Sequence, residues 1–271
     1  MPLSTHEHGT GLPILILHGW QLSGHVDELD FEPIFSTIPT PNLHRIYIDL
    51  PGMGHTPAHN IHNLDDIYHQ LVEFIDSRFG KARFLIIGSS CGGYLARALA
   101  QKYIDQVDGL LLRVPLIEPA DSLRDVDVLT PLIQNKEVIS ELSDHDKSLL
   151  GNIPIQTPSY IQALKTKYEE AYIPAETLSD AKVLDPIRGD PTRYRLSFDV
   201  DEMEKAGKFP APTLIVCGRQ DGVVGYRDGL RLVERYSRAT FVVLDRGTHG
   251  VPVDGQERGV FGALLSSYTT Y

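Results

Sequence analysis

Six short apolar runs recur along the chain, and between them apolar residues repeat every three to four positions. An apolar run without polar alternation is typical of a strand that is buried on both faces. The runs lie at residues 13–19, 44–50, 82–88, 109–115, 212–218 and 239–245. Because strands that alternate with helices build a parallel sheet with helices on both faces, the pattern predicts an α/β protein.

Four helices are predicted between and after these strands. Asn63 is a good N-cap for one of them, and Gly80 suits the position just after its C-terminus. Its buried stripe includes Ile67, Leu71, Phe74 and Ile75. The others are predicted over residues 94–103, over 227–237 and from Pro252 to the C-terminus.

The strand–helix alternation stops between about Leu116 and Phe209, where only helix signals occur. Three helices are indicated there, by Thr130-Pro131 as N-cap and first residue, by 143–150 with Gly151 after it, and by an apolar stripe in 158–172. We therefore expect a helical, lid-like insertion over residues 117–209. The core of the fold would then comprise residues 1–116 and 210–271.

Residues 84–93 read FLIIGSSCGG, which places small residues directly after an apolar run. The pattern G-x-S-x-G fits in one register only, with Gly88, Ser90 and Gly92, because a register on Ser89 would need glycine at positions occupied by Ile87 and Cys91. A serine on a sharp strand-to-helix turn presents its hydroxyl above the edge of the sheet. The following helix begins at the same point and favours negative charge there. Ser90 is the predicted nucleophile.

A serine nucleophile needs a base, and the base needs an acid that orients it. Asp221 follows the strand at 212–218, and His249 follows the strand at 239–245, each in a loop with neighbouring glycines. Both loops lie at the carboxyl ends of parallel strands, where the sites of open α/β sheets are found. We predict a Ser90–His249–Asp221 triad, with Asp121 or Asp125 as the alternative acid.

Backbone N–H groups must stabilise the oxyanion that forms when the serine attacks. One is expected from Cys91, the residue after the nucleophile. The other is expected from Trp20, in the loop that follows the strand at 13–19, with Gln21 as the alternative.

The motifs resemble, in chain order, those of the α/β-hydrolase superfamily with a helical cap. They are HGW at 18–20, DLPGMGH at 49–55, GSSCGG at 88–93, GRQD at 218–221 and GTH at 247–249. The resemblance implies a mostly parallel sheet of about seven to eight strands, a cap inserted after the sixth strand of that fold, and hydrolysis through an acyl-enzyme. Only about a dozen residues precede the first apolar run, so we expect the first antiparallel strand of the fold to be missing or shortened.

Several other residues are candidates for the substrate pocket. Arg113 ends a strand where an apolar residue is expected, so it either binds a substrate carboxylate or forms a salt bridge with an acid such as Asp121 or Glu118. The remaining candidates are His18, Gln21, Tyr160, Tyr168 and Tyr172. The tyrosines, with Tyr194, equally suit packing within the insertion.

Cys91 and Cys217 are interpreted as packed residues and not as nucleophiles or a disulfide. The eleven histidines, which include His6 and His8, match no zinc signature, so neither a metal nor a cofactor is predicted. The formal net charge of −11 disfavours nucleic acid and anionic membranes as partners. With two cysteines and no signal-like start, we expect a cytoplasmic protein, and its oligomeric state is left open.

The reaction class follows from the nucleophile. Haloalkane dehalogenases and epoxide hydrolases of this fold carry a carboxylate at the position of Ser90, so a serine indicates acyl chemistry. We predict a hydrolase of small or medium carboxylic esters that acts with water. Open alternatives are a lactonase, a thioesterase, a prolyl-type aminopeptidase, a carbon–carbon bond hydrolase, or a ligand receptor without turnover.

Overall fold

One mostly parallel sheet forms the centre of the protein. The computed structural model describes residues 2–37, 42–207 and 209–269. Within them the sheet has seven strands, which are β1 (Thr5–His8), β2 (Leu12–Leu17), β3 (Leu43–Ile48), β4 (Phe84–Ser89), β5 (Val107–Arg113), β6 (Thr213–Gly218) and β7 (Ala239–Leu244). Their order is β1-β3-β2-β4-β5-β6-β7, and only β1 is antiparallel to its neighbour. The predicted fold class is confirmed.

The antiparallel strand β1 is the element that the resemblance left uncertain. It is present and short, with four residues that pair with β3 from Thr5 opposite Ile48 to His8 opposite Arg45. All four of its residues are polar or charged, so the search for long apolar runs did not indicate this strand. An edge strand needs only one buried face and carries a weaker apolar signal.

Helices cover both faces of the sheet. Those of the first half are α1 (Gly24–Phe35), α2 (Leu64–Phe79) and α3 (Cys91–Lys102). Between β5 and β6 lie α4 (Lys136–Glu141), α5 (Asp144–Leu150), α6 (Pro158–Lys167), α7 (Ile173–Leu178), α8 (Ala181–Arg188) and α9 (Val200–Gly207). The last two are α10 (Arg227–Leu230) and α11 (Gly255–Thr269).

The alternation of side chains along β2 shows how the two faces are filled. Ile14 and Ile16 pack with residues of α1 and α11, whereas Leu15 and Leu17 pack with α2 and α3. All four side chains are buried, so the strand is apolar throughout. A central parallel strand that is buried on both faces in this way needs apolar residues at every position, which explains the continuous apolar run.

The predicted ends of helix α2 are confirmed. The Asn63 side chain accepts a hydrogen bond from the Asp66 N–H at 3.0 Å, and the Asp66 carboxylate accepts one from the Asn63 N–H at 3.3 Å. Such a capping box satisfies two of the free donors at a helix N-terminus. Gly80 follows the helix with φ 57°, a conformation that favours glycine.

One predicted helix start within the insertion is wrong. Residues after Thr130-Pro131 are not helical, and the next helix is α4, which Asn135 caps. The N–H groups of Leu132 and Ile133 instead donate to the Pro154 carbonyl at 2.8 and 3.2 Å. Pairing with a distant segment therefore satisfies the donors that a helix would have used. The prediction over 227–237 is partly right, because α10 has four residues and is followed by a 3₁₀ turn.

Two other helices of the insertion follow the predicted signals. Helix α5 begins after Ser143, whose hydroxyl accepts from the Asp146 N–H at 3.0 Å, and ends before Gly151. Helix α6 begins at Pro158 after a Thr157 cap and passes into a π-helical turn over Tyr168–Tyr172. The boundaries 117–209 for the insertion as a separate domain stay a prediction.

Candidate active site

Ser90 lies on the sharp turn between β4 and α3. Its backbone angles are φ 52° and ψ −119°, which non-glycine residues rarely adopt. A Cβ atom at Gly88 would lie 2.5 Å from the Gly92 carbonyl oxygen, and one at Gly92 would lie 2.2 Å from the Leu17 carbonyl oxygen. The two glycines are thus required because strand and helix backbones pass in contact on both sides of Ser90.

Ser90, His249 and Asp221 form a continuous chain of hydrogen bonds. His249 Nε2 is 3.0 Å from Ser90 Oγ, and His249 Nδ1 is 2.9 Å from Asp221 Oδ2. These are the distances at which an imidazole can take a serine proton while a carboxylate orients the ring. The sequence-predicted residues of the triad are therefore brought together, each from the loop after a different parallel strand.

Asp221 is almost completely buried and remains ionised. Burial tends to raise the pKa of its carboxyl, but the charge and hydrogen bond of His249 and the N–H groups of Val223 and Val224 outweigh burial and lower that pKa. The two N–H groups donate to Oδ1 at 2.8 and 3.0 Å, which leaves Oδ2 for the histidine. The alternative acids are engaged elsewhere, Asp121 with Arg124 and Arg188, and Asp125 with Arg227.

A close approach of two loops sets the positions of Asp221 and His249. A Cβ atom at Gly218, the last residue of β6, would lie 2.3 Å from the Gly247 carbonyl oxygen. The Gln220 N–H also donates to that carbonyl at 2.8 Å. The loop that carries Asp221 therefore contacts and hydrogen-bonds the loop that carries His249.

Two backbone N–H groups are free to bind an oxyanion. Among the described residues, the N–H groups of Trp20 and Cys91 have no acceptor, whereas the N–H of Gln21 donates to Met53 Sδ at 3.3 Å. A Cβ atom at Gly19 would lie 3.3 Å from Ser90 Cβ, so glycine keeps this loop close to the serine. The geometry favours Trp20 over Gln21 as the second donor.

The thiol of Cys91 is not activated. Its side chain is fully buried, and burial raises the pKa of the thiol to about 12. Cys217 is also buried, and burial raises its pKa further. Because a thiolate is the reactive form of cysteine, neither thiol is activated, and both are free.

A cavity of about 580 Å³ opens onto Ser90 and His249. Four of the six predicted pocket residues line it, namely Gln21, Arg113, Tyr168 and Tyr172. Helices of the insertion supply much of the apolar wall, including Leu149, Leu150 and Leu164. This volume is within the usual range for a small-molecule site, roughly 300–1,000 Å³.

Tyr160 does not line the cavity, contrary to the sequence-based expectation. Its side chain is buried between helices α5 and α6 and the start of α11, in a cluster with Leu150, Ile161 and Val253. Leu164, one turn further along α6, belongs to the same cluster and also borders the cavity, whereas Tyr160 does not border it. Tyr160 is a packing residue.

Arg113 is held by acids that the sequence did not indicate. Its guanidinium donates to Asp27, to Asp30 at 2.5 Å and to Ser89 Oγ at 2.9 Å. It is 5% exposed and forms no salt bridge with Asp121 or Glu118 in the described residues. Although it borders the cavity, its charge is matched by Asp27 and Asp30, so the carboxylate-clamp interpretation is not supported.

Lys167 completes this buried group of charges. Its ammonium donates to both oxygens of Asp30 at 2.6 and 2.8 Å, and to the carbonyls of Gly250 and Pro252 at 2.7 and 2.9 Å. It thereby joins helix α6 to helix α1 and to the loop that follows His249. Sequence reasoning missed Lys167 because a charged residue is expected on the exposed face of a helix, whereas this lysine is buried.

Sequence reasoning missed two residues on the cavity wall, Arg124 and Arg188, and Tyr194, which was weighed both for the pocket and for packing, also lines the cavity. The Arg188 guanidinium lies over the Tyr194 ring, 4.8 Å from its centre, and the Tyr194 ring meets the Trp20 ring edge to face at 4.9 Å. The contact with Trp20 places Tyr194 beside the loop that follows β2.

His18 does not line the cavity, although it was a pocket candidate. It is fully buried, its Nε2 accepts from the Leu50 N–H at 2.9 Å, and its Nδ1 lies 2.7 Å from the Gly19 carbonyl oxygen. Burial lowers the pKa of His18 to about 4, against the opposing effects of the Gly19 carbonyl and the Asp49 charge. His18 is a neutral residue that supports the loop of Gly19 and Trp20.

The lowered pKa of His18 predicts part of the acid sensitivity of the fold. The unfolded chain, where His18 has the ordinary pKa of about 6.5, takes up a proton that the folded chain excludes until about pH 4. Stability is therefore lost as the pH falls between these values, by roughly 3 kcal/mol from this group. Urea unfolding measured from pH 7 to pH 4 should show that the free energy of unfolding falls less steeply in His18→Gln than in the wild type. The exposed control His59→Gln should keep the wild-type slope, and equal slopes in all three proteins would contradict the assignment.

Comparisons with known proteins agree with this fold. The chain matches the family model of the alpha/beta hydrolase fold over residues 13–256, and it belongs to that family. A solved α/β-superfamily hydrolase from Oenococcus oeni PSU-1 superposes with a TM-score of 0.80 at 28% identity, covering 99% of this chain and 97% of that one. The protein is a hydrolase with esterase-like relatives.

Three curated relatives have different substrates in their names. The chain is 32% identical to a pimeloyl-[acyl-carrier protein] methyl ester esterase of Shewanella woodyi, covering 89% of this chain and 88% of that protein. It is 26% identical to the monoacylglycerol lipase ABHD6 of Mus musculus, with coverage of 89% and 71%. It is 24% identical to a 2-hydroxymuconate semialdehyde hydrolase of Pseudomonas putida, with coverage of 97% and 89%.

No helix in the described residues is long and apolar enough to cross a membrane.

Proposed function

We propose that the protein is a serine hydrolase that cleaves small or medium carboxylic esters through an acyl-enzyme, with Ser90, His249 and Asp221 as its catalytic triad. The observation that carries this proposal is the hydrogen-bonded chain of these three side chains at the floor of a cavity, next to the free N–H groups of Trp20 and Cys91. A nucleophile, a base, an acid and an oxyanion site are the parts that acyl transfer needs.

The first half of the reaction forms the acyl-enzyme. Ser90 Oγ attacks the ester carbonyl carbon while His249 Nε2 accepts the hydroxyl proton. The negative oxygen of the tetrahedral intermediate is bound by the Trp20 and Cys91 N–H groups. His249 then gives its proton to the departing alcohol oxygen, the carbon–oxygen bond breaks, and the acyl group remains on Ser90.

The second half uses water as the acceptor of the acyl group. His249 takes a proton from the water, whose oxygen attacks the acyl carbon, and the same two N–H groups bind the second oxyanion. The carbon–Ser90 bond breaks, the serine regains its proton from His249, and a carboxylic acid leaves. Asp221 stays ionised throughout, because its role is to orient the imidazole and stabilise the imidazolium.

The cavity supports small or medium substrates and a capping role for the insertion. Residues of α5, α6, α7 and α8 cover the space above Ser90, so the insertion over 117–209 separates the reaction from bulk water. Leu149, Leu150, Pro154 and Leu164 give one wall an apolar character that suits an acyl chain. The core would comprise residues 1–116 and 210–271.

Other reactions of the same triad form the second candidate. A thioester, lactone, amide or carbon–carbon bond substrate uses the same nucleophile and oxyanion site, and similarity to a 2-hydroxymuconate semialdehyde hydrolase keeps the last of these in view. A receptor that binds without turnover is the remaining alternative.

The test is a substrate panel combined with active-site labelling. We expect turnover of p-nitrophenyl esters from acetyl to octanoyl, with the highest kcat/KM among short and medium chains, and a fluorophosphonate adduct on Ser90 located by mass spectrometry. Matched lactone, thioester, anilide and 1,5-diketone substrates should be slower by about 10-fold or more. A faster reaction in one of those classes would replace the ester assignment, and binding without turnover or adduct would favour the receptor.

A further inference from the structure

A second group of chemically active side chains lies outside the cavity. His6 and His8 are two residues apart on strand β1, and His25 and Glu28 are three residues apart on helix α1. Residues two apart on a strand share a face, and residues three apart on a helix share a face. The contact between β1 and α1 brings both pairs together.

The three imidazoles surround the Glu28 carboxylate. His6 Nδ1 and His25 Nδ1 each lie 3.0 Å from Glu28 Oε2, and His8 Nε2 lies 2.7 Å from Oε1. The ligand atoms of His6, His25 and Glu28 all lie within 4.8 Å of one another. Two nitrogens and a carboxylate oxygen therefore converge on one small volume, and His8 Nε2 contacts the other oxygen of the same carboxylate.

We propose that His6, His25 and Glu28 form a binding site for a divalent transition-metal ion such as Zn²⁺, with His8 holding the other oxygen of the Glu28 carboxylate. Zinc is bound by imidazole nitrogen and carboxylate oxygen at about 2.0–2.2 Å in tetrahedral sites. Ligand atoms around such an ion are roughly 3–3.6 Å apart, which is close to the spacing of the nitrogens from Glu28 Oε2.

The surroundings of the cluster suit a cation. The His6, His8 and His25 side chains are between 38% and 50% exposed, so an ion reaches them from solvent, while Glu28 is 17% exposed. The nearest strongly basic side chain of the paired strand is that of Arg45, opposite His8, and Glu32 binds it through two nitrogens at 2.7 and 2.9 Å. Among the described residues, no Lys or Arg side chain forms an ion pair with Glu28.

Both supports of the site are held by the fold. Strand β1 is fixed by its pairing with β3, from Thr5 opposite Ile48 to His8 opposite Arg45. Helix α1 is fixed by its buried Asp27 and Asp30, which bind Arg113 on the opposite side from Glu28. An ion would join the edge strand to this helix and would strengthen the fold without taking part in the reaction at Ser90.

The experiment is a calorimetric titration of the EDTA-treated full-length protein with ZnCl₂, repeated with NiCl₂. The expected result is one ion per chain with a Kd tighter than about 100 μM, together with a rise in Tm that EDTA reverses. His6→Asn/His25→Asn and Glu28→Gln should each weaken binding by about 10-fold or more, because each removes ligands of the ion.

A matched variant distinguishes this site from unspecific binding by surface histidines. His59→Asn/His62→Asn removes two exposed histidines outside the cluster and should bind zinc as the wild type does. Circular dichroism and fluorophosphonate labelling would verify that every variant is folded. A Kd weaker than about 100 μM, or equal binding by the wild type and both cluster variants, would overturn the proposal.

Discussion

Replacing Ser90 with alanine is expected to lower kcat for a p-nitrophenyl ester by roughly 10⁴-fold or more. The reason is geometric. Ser90 Oγ is the hydroxyl that His249 Nε2 contacts at 3.0 Å, and the strained turn fixes it there. Alanine would keep the turn, the cavity and the N–H groups proposed to bind the oxyanion, but it would remove the atom proposed to form the acyl-enzyme. Steady-state kinetics and fluorophosphonate labelling would measure the loss.

The neighbouring residue provides a matched control. Cys91→Ala removes a thiol but retains the backbone N–H proposed to bind the oxyanion, and alanine is an equally good residue at the start of a helix. Its kcat should fall by no more than about 10-fold. If Cys91→Ala lost activity as completely as Ser90→Ala, or if Ser90→Ala kept wild-type turnover, the assignment of the nucleophile would be wrong.

The single register in which G-x-S-x-G fits the sequence explains why the candidate site could be predicted from the sequence. Gly88, Ser90 and Gly92 are dictated by local contacts of the turn, since a Cβ atom at either glycine would clash with backbone. Asp221 and His249 follow apolar runs that predict strands, and the carboxyl ends of parallel strands meet at one edge. Local sequence thus specified the position of each residue, and topology brought the three together.

Helix α1 shows what local sequence could not specify. Its inward face carries Asp27 and Asp30, both buried, and it contains Pro33. A helix whose buried face is partly acidic has no continuous apolar stripe, so periodicity does not indicate it. The burial of these acids is explained only by Arg113 and Lys167, which are far apart in sequence.

The pocket residues were predicted less well than the triad for a related reason. Which tyrosine of α6 and its π-helical turn faces the cavity depends on how the insertion packs on the core. Tyr168 and Tyr172 border the cavity, whereas Tyr160 packs in an apolar cluster without reaching the cavity. A stripe of large residues defines one buried face, but it does not say whether that face meets a ligand or another helix.

Replacing Arg113 with methionine is expected to destabilise the protein by about 3–5 kcal/mol, the usual cost of removing one partner from a buried ion pair. Arg113 donates to Asp27, Asp30 and Ser89, and all four side chains are buried. Without it, Lys167 is the remaining cation that binds Asp30, and it gives Asp27 no hydrogen bond in the described residues. Urea unfolding at pH 8 would measure the loss.

The stability lost in Arg113→Met should depend on pH. Burial already raises the pKa of Asp27 to about 6, and the charge of Arg113 opposes that rise. In Arg113→Met the pKa of Asp27 should rise further, so that the folded state holds a proton more tightly than the unfolded chain. Stability lost at pH 8 is then partly regained as the pH falls through that pKa, and the difference from wild type should be smaller at pH 5.

Two further variants separate charge from packing. Arg83→Met removes an exposed arginine paired with Asp108 and should leave the urea midpoint close to that of the wild type. Asp27→Asn combined with Arg113→Met removes a buried charge of each sign, so it should be less destabilised than the sum of the two single variants. If the two single losses were simply additive, or if Arg113→Met lost the same stability at pH 5 and pH 8, the loss would come from packing and not from an unpaired carboxylate.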